Sequence, residues 1–225
     1  MDLQSAHVLL AGATGGIGSA LARQLAAAGA TLTLVARDAD RLAQLPVDGH
    51  RCAVDLRLPD GAHRAVSEAV AHGRELHAVI NAVGVVAFGD TASLSSDALE
   101  ELFLTNVFAG VFLAQAALPH MAVGGAMVSM SGVISERNLP GMAAYGASKA
   151  AVRAFSEGFA REARRAKVRV IDARPPHTET GLADRAIAGE PPAFPPGLTP
   201  DAVAATIVAA LADDSVKDLP SGAFS

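Results

Sequence analysis

Tyr145 is the only tyrosine in the 225-residue chain, and it lies in the stretch AAYGASKAAV, residues 143–152, four positions before Lys149. On a helix that spacing puts phenol and ammonium on one face, where the cation can bias the ionisation of the phenol. The same pair is also common on the solvated face of a helix, so the spacing alone leaves chemistry and surface both open. A second cluster, AGATGGIGSALARQLAAAG, follows the apolar run HVLLAG and places Gly12, Thr14, Gly15, Gly16, Ile17 and Gly18 at a strand-to-helix turn. Glycines there let backbone N–H groups approach a pyrophosphate, whose charge the helix start stabilises. The third signal is LVARDADRL, where Ala36 stands at the strand end that usually carries an acid for a ribose 2′-hydroxyl, and Arg37 follows at once. A guanidinium there pairs with a 2′-phosphate, so NADP is expected rather than NAD.

The elements that must position these groups are legible as alternating runs. HVLLAG (7–12), TLTLVA (31–36), HRCAVDL (50–56), HAVINAVG (77–84), GAMVSMS (125–131) and VRVIDARP (168–175) are short and apolar nearly throughout, as strands covered on both faces are. Between them lie stretches of helical spacing, the longest being 96–121 and 143–166. This alternation predicts one doubly wound, Rossmann-type α/β domain over 1–225, a parallel sheet flanked by helices on both faces. Its cofactor half is expected over about 1–120 and its catalytic and substrate half over about 121–225. Residues 176–200, rich in Pro and Gly, read as a loop; a helix near 200–213 and a short strand near LPSGAF close the chain.

Composition narrows the function. With 51% hydrophobic residues and a net charge of −5, the chain has the apolar content for a substantial core and gives no electrostatic reason to expect nucleic acid or a membrane surface as partner. No run reads as long enough to span a bilayer, and a cytoplasmic protein is expected. The single cysteine, Cys52, sits in the apolar run HRCAV and reads as a buried structural thiol. No metal is expected.

Taken in order, GATGGIG (12–18), VDL (54–56), INAVG (80–84), TNVFAG (105–110), GAMVSMSG (125–132), YGASK (145–149) and PPHTET (175–180) resemble the motif series of the short-chain dehydrogenase/reductase family over nearly the whole chain. The resemblance implies an oxidoreductase in which Tyr145 exchanges a proton with the substrate oxygen. It also implies that Lys149 lowers the tyrosine pKa and hydrogen-bonds the nicotinamide ribose, and that Asn106 holds a water linking Lys149 to solvent. Asp55 and Leu56 would cradle adenine; Asn81 and Gly84 would bound the loop beneath the adenosine ribose, and Pro175, Thr178 and Thr180 would meet the nicotinamide end.

Three departures stand out. The family's Asn-Asn-Ala-Gly is Asn81-Ala82-Val83-Gly84 here, and its Pro-Gly is Pro175-Pro176, which removes an N–H and stiffens the loop. The catalytic serine, counted back from Tyr145, falls on Gly132. Ser131 is adjacent and is expected to take the role if the strand end bends to re-aim it; otherwise it is a buried hydroxyl. Val85, Val86, Phe88, Val133, Ile134, Leu139, Met142, Leu182 and Phe194 would line an apolar pocket for a small ketone, aldehyde or secondary alcohol. The alternative is a nucleotide-binding regulatory or scaffold protein of the same fold. Leu102, Phe103, Phe108, Phe112, Phe155 and Phe159 put apolar side chains on more than one face of the two long helices; relatives pair the equivalent helices, which implies a homodimer or homotetramer.

Overall fold

The computed structural model describes residues 1–73 and 75–224. Six strands, β1 (His7–Ala11), β2 (Thr31–Ala36), β3 (His50–Ala53), β4 (Leu76–Asn81), β5 (Met121–Met130) and β6 (Arg169–Ala173), form one sheet in the order β3-β2-β1-β4-β5-β6. Every pairing within it is parallel. Successive strand residues feed opposite faces. Val8, Leu10, Leu34 and Ile80 pack with Leu21 and Leu25 of α1 (Gly16–Ala27) and with Val203, Ile207 and Leu211 of the final helix, Pro200–Ala212. Leu9, Val35, Val79 and Met127 pack on the other side with residues such as Val66, Leu113 and Phe159. This two-sided burial is why the strands read as continuous apolar runs.

The helices that matter for the site have local reasons to start where they do. α2 (Ala39–Ala43) begins after Asp38, whose carboxylate accepts from Arg41 N, and α4 (Ser96–Phe103) begins after Ser95, whose hydroxyl accepts from Ala98 N. α3 (Pro59–Gly73) joins β3 to β4. Beyond α4 the chain makes a π-helical turn, Leu104–Phe108, before α5 (Ala109–Ala117). α6 (Ala143–Ala163) carries Tyr145 and Lys149 in its first two turns, and α7 is Pro200–Ala212.

Two expectations need correction. Among the described residues the C-terminal segment adds no seventh strand: Leu219 makes one parallel bridge to Ala173, then Pro220, which has no N–H, ends the pairing and a 3₁₀ turn follows. The continuous run Ser96–His120 is long and apolar enough to cross a membrane, contrary to the sequence reading, yet Leu102, Leu113 and Ala117 on it are fully buried within the fold.

Candidate active site

The crevice lies beyond the C-terminal ends of β1 and β4, the neighbours at which the strand order reverses. Gly12 leaves β1 at φ +77, and a Cβ there would come within 2.7 Å of the Ala82 backbone, so only glycine lets these strand ends pass so closely. Gly15 is the N-cap of α1 and offers no side chain to the helix start. The first amides of α1 therefore face a cavity of about 340 Å³ lined by Gly15, Gly16, Ile17 and Gly18 on one side and by Tyr145, Lys149, Pro175, Thr178 and Thr180 on the other. An uncapped helix start facing an open cavity fits a pyrophosphate.

A second cavity, of about 140 Å³, shares Gly15 and Gly84 with the first and contains Gly12, Thr14, Arg37, Asp55 and Leu56. The two cavities meet at the glycine turn, where Gly15, Ala82, Val83 and Gly84 line both. Arg41 and Arg57 also line the second cavity, and the sequence reading missed both. Arg41 donates to Thr14 O at 2.8 Å, while Arg57 bridges Asp55 and Glu101, each at 2.6 Å. Hydrogen bonding from Arg57 holds the Asp55 carboxyl below its ordinary range. Arg37 is half-exposed and its Nη1 lies 3.9 Å from Glu101 Oε1, a loose contact that leaves it available. The helical spacing of Arg37 and Arg41 was the signal that could have found the second cation.

Of the remaining expected residues, Asn81 and Asn106 line neither cavity; both work on the backbone. Asn81 Oδ1 accepts from Val83 N at 3.1 Å. Asn106, buried in the π-helical turn, accepts from Val85 N at 2.8 Å and donates to Val85 O and Ser148 Oγ, both at 3.0 Å. Both amide N–H groups are thus committed within the protein, and Asn106 is a clamp on the loop after β4. A Cβ on Gly84 would lie 3.3 Å from Asn106 Oδ1 and 3.4 Å from Lys149 Nζ, which places the two polar atoms around one point.

Lys149 Nζ donates to Met130 O at 2.8 Å and lies 5.9 Å from the Tyr145 ring centroid. Burial pushes the lysine down to about 8 and the phenol up to about 12. Desolvation is the influence acting on the phenol, and the expected lowering by Lys149 does not enter, so Tyr145 stays protonated at neutral pH.

Ser131 lines the larger cavity with Tyr145. It is fully buried, and its hydroxyl donates to Asp172 Oδ2 at 2.8 Å, while the neighbouring Ser135 hydroxyl donates to Gly132 O at 2.7 Å. A hydroxyl has one hydrogen, so in this arrangement Ser131 cannot also donate to a substrate oxygen. Gly132, the other position considered, has φ +78 and ψ 164, a region a side chain rarely enters. The pocket wall agrees better: Val86, Phe88, Val133, Ile134, Leu139, Met142, Leu182 and Phe194 line the larger cavity, and Val85 does not. His177 stacks on Phe194 with centroids 4.6 Å apart, and Arg185 reaches the same cavity while bonded to Gly181 O and Thr180 O. Cys52 is far from this chemistry, buried with its thiol pushed up to about 12, first by desolvation.

Comparison with known proteins extends the picture. Residues 6–191 match the short chain dehydrogenase family. The hydroxynaphthalene reductase-like protein Arp2 of Metarhizium anisopliae is 32% identical over 185 residues, covering 78% of this chain and 69% of its own. A dehydrogenase/reductase SDR family protein 7-like of Anopheles gambiae is 30% identical over 240 residues, covering 94% and 73%. Among solved structures, a short chain dehydrogenase from Burkholderia cenocepacia in complex with NADP superposes over the whole of both chains with TM-score 0.85 and 25% identity. A short-chain dehydrogenase/reductase from Serratia marcescens gives TM-score 0.87 at 23% identity, covering 98% of this chain and 97% of its own.

Proposed function

The chain belongs to the short-chain dehydrogenase/reductase family and is an NAD(P)-dependent oxidoreductase; on that premise we propose that it reduces a small, largely apolar ketone or aldehyde with NADPH, or oxidises the corresponding secondary alcohol. The observation that carries the reading is that Tyr145 and Lys149 line one largely apolar cavity together with the uncapped start of α1. When bound, the dinucleotide supplies or accepts the hydride. Tyr145 gives its proton to the carbonyl oxygen, and a phenol kept neutral by burial is ready for that direction. Lys149 compensates the phenolate that results and holds the ribose, a role its position in the same cavity as Tyr145 supports, and Asn106 keeps the loop between β4 and α4 in register.

NADP is favoured over NAD because Ala36 leaves the strand end without a carboxylate and Arg37, Arg41 and Arg57 converge on the adenosine cavity. An NADP complex of a similar structure supports the same preference. The aromatic and aliphatic wall suits a neutral carbonyl, and the reductase named for the Metarhizium relative is consistent with an aryl ketone. The engagement of Ser131 by Asp172 is what favours the second reading, a nucleotide-binding protein with weak turnover. Calorimetry on Arg37→Ala tests the cofactor: NADPH affinity falls roughly 10–100-fold for loss of one charge-assisted contact while NADH changes little. Equal losses would remove the assignment. A carbonyl panel followed by nicotinamide absorbance separates the two readings, since tight NADPH binding with no turnover on any substrate selects the second.

A further inference from the structure

Behind the Tyr145–Lys149 pair lies a buried charge cluster that the motif series does not contain. Asp172, in β6, is 6% exposed and accepts from Ser131 N at 3.3 Å, from Ser131 Oγ at 2.8 Å and from Arg174 Nη1 at 2.9 Å. Arg174, 5% exposed, also meets Glu136 through Nε and both Asp218 oxygens through its Nη atoms. Ser221 Oγ donates to Glu136 Oε2 at 2.6 Å, which fastens the C-terminal segment to the loop after β5. Three carboxylates thus surround one guanidinium, leaving an excess of negative charge.

That excess lies behind the strand end which Lys149 grips. Met130, whose carbonyl accepts from Lys149 Nζ, is the residue before Ser131, and β5 and β6 pair in register at Ser129 and Asp172. Near the ammonium lie the Tyr145 ring on its own helix, the Asn106 amide across Gly84 and the Met130 carbonyl on β5, while His177 lines the same cavity and Asp172, paired with Arg174 on β6, sits behind Ser131, the residue after Met130. Among the described residues that enter this surround, Asp172 is the carboxylate acting on Lys149. We propose that Asp172 is a positioning residue for the reaction: anchored by Ser131 and Arg174, it fixes the β5 end that holds Lys149 and sets a buried negative charge behind that strand end. Ser131 then belongs to the anchor instead of touching substrate. Burial lowers the lysine and Asp172 opposes the change, which is the balance such a site needs.

The proposal rests on the oxidoreductase reading, and its test uses cofactor binding instead of turnover. NADPH affinity of the full chain, followed by nicotinamide fluorescence between pH 7 and 10, should weaken as Lys149 loses its proton, and Lys149→Met should abolish that decline. Asp172→Asn should move the midpoint down, because it removes the negative charge that favours the protonated lysine. Ser131→Ala, which keeps the charge, should leave the midpoint near the wild-type value. Should Asp172→Asn fail to fold, Asp218→Asn, at the half-exposed rim of the cluster, should shift the midpoint in the same direction by less. An unchanged midpoint in whichever of these two variants folds, or an equal shift in Ser131→Ala, overturns the proposal alone. A wild-type protein that binds no NADPH overturns the cofactor reading and the proposal with it.

Discussion

Ser131 has one hydroxyl hydrogen, and Asp172 receives it at 2.8 Å. Two predictions follow from this geometry at the residue scale. Tyr145→Phe, which removes the proton donor, should lower turnover about 10²–10⁴-fold, whereas Ser131→Ala should lower it less than about tenfold, well short of the roughly 10²–10³-fold loss that removing a direct oxyanion donor causes. Steady-state rates on the best carbonyl of a panel decide it, and a Ser131→Ala loss as large as that of Tyr145→Phe would return the serine to the substrate. Gly132→Ser, far from restoring a missing hydroxyl, should cost about 1–3 kcal/mol in urea unfolding because its backbone sits at φ +78 and ψ 164. A Gly132→Ser protein as stable as the wild type would show that the turn relaxes. The glycine turn and the Tyr145–Lys149 pair were legible in the sequence because each is local, a fixed offset on one element. The Ser131–Asp172 bond joins positions 41 apart, and Arg57 meets Glu101 across 44, so neither could be read from spacing.

The sheet carries a second cluster at the opposite strand ends, and its behaviour is a property of elements. His7 opens β1, 2% exposed, with Nε2 3.0 Å from Thr33 Oγ1 on β2, Nδ1 3.2 Å from Glu75 O, and its backbone N donating to His77 Nδ1 at the start of β4. His72 of α3 and His50 of β3 stack beside it, with ring centroids 5.3 Å apart. Burial lowers the His7 pKa, with smaller contributions from the neighbouring histidines. The folded state therefore favours neutral His7, so its contribution to stability is present above about pH 6.5 and is lost as pH falls through the lowered native value. Urea unfolding between pH 7.5 and 5 should show stability dropping by up to about 1.4 kcal/mol per pH unit for this one proton, and His7→Gln should flatten the drop. An unchanged slope in His7→Gln would place the titration elsewhere. At this scale the sequence predicted most strands and helices, since parallel strands buried on both faces leave uninterrupted apolar runs. It overstated the C-terminal strand, where Leu219 is apolar but Pro220 ends the ladder after one bridge.

Over the whole molecule, the order β3-β2-β1-β4-β5-β6 brings the first glycine turn, the clamp from the π-helical turn and the start of α6 to one crevice. The alternating pattern implied that convergence; it did not show which apolar helix residues would remain outside. Leu99, Leu104 and Phe108 are exposed along the run from α4 into α5, with Phe108 stacked 5.9 Å from Phe112. An apolar stripe of this kind supports pairing of two copies, and Phe108→Glu should convert a dimeric or tetrameric mass by light scattering towards the monomer. A wild-type protein that is monomeric at micromolar concentration would remove the proposed assembly. The central claim is that the chain moves hydride between NADPH and an apolar carbonyl with Tyr145 supplying the proton. Its most direct test is the 340 nm absorbance of NADPH with a panel of ketones and aldehydes, wild type beside Tyr145→Phe. Absorbance should fall steadily with at least one apolar carbonyl, and Tyr145→Phe should lose nearly all of that rate while still binding NADPH. Equal rates in the two proteins, or no turnover of any carbonyl by a wild type that binds NADPH, would contradict it.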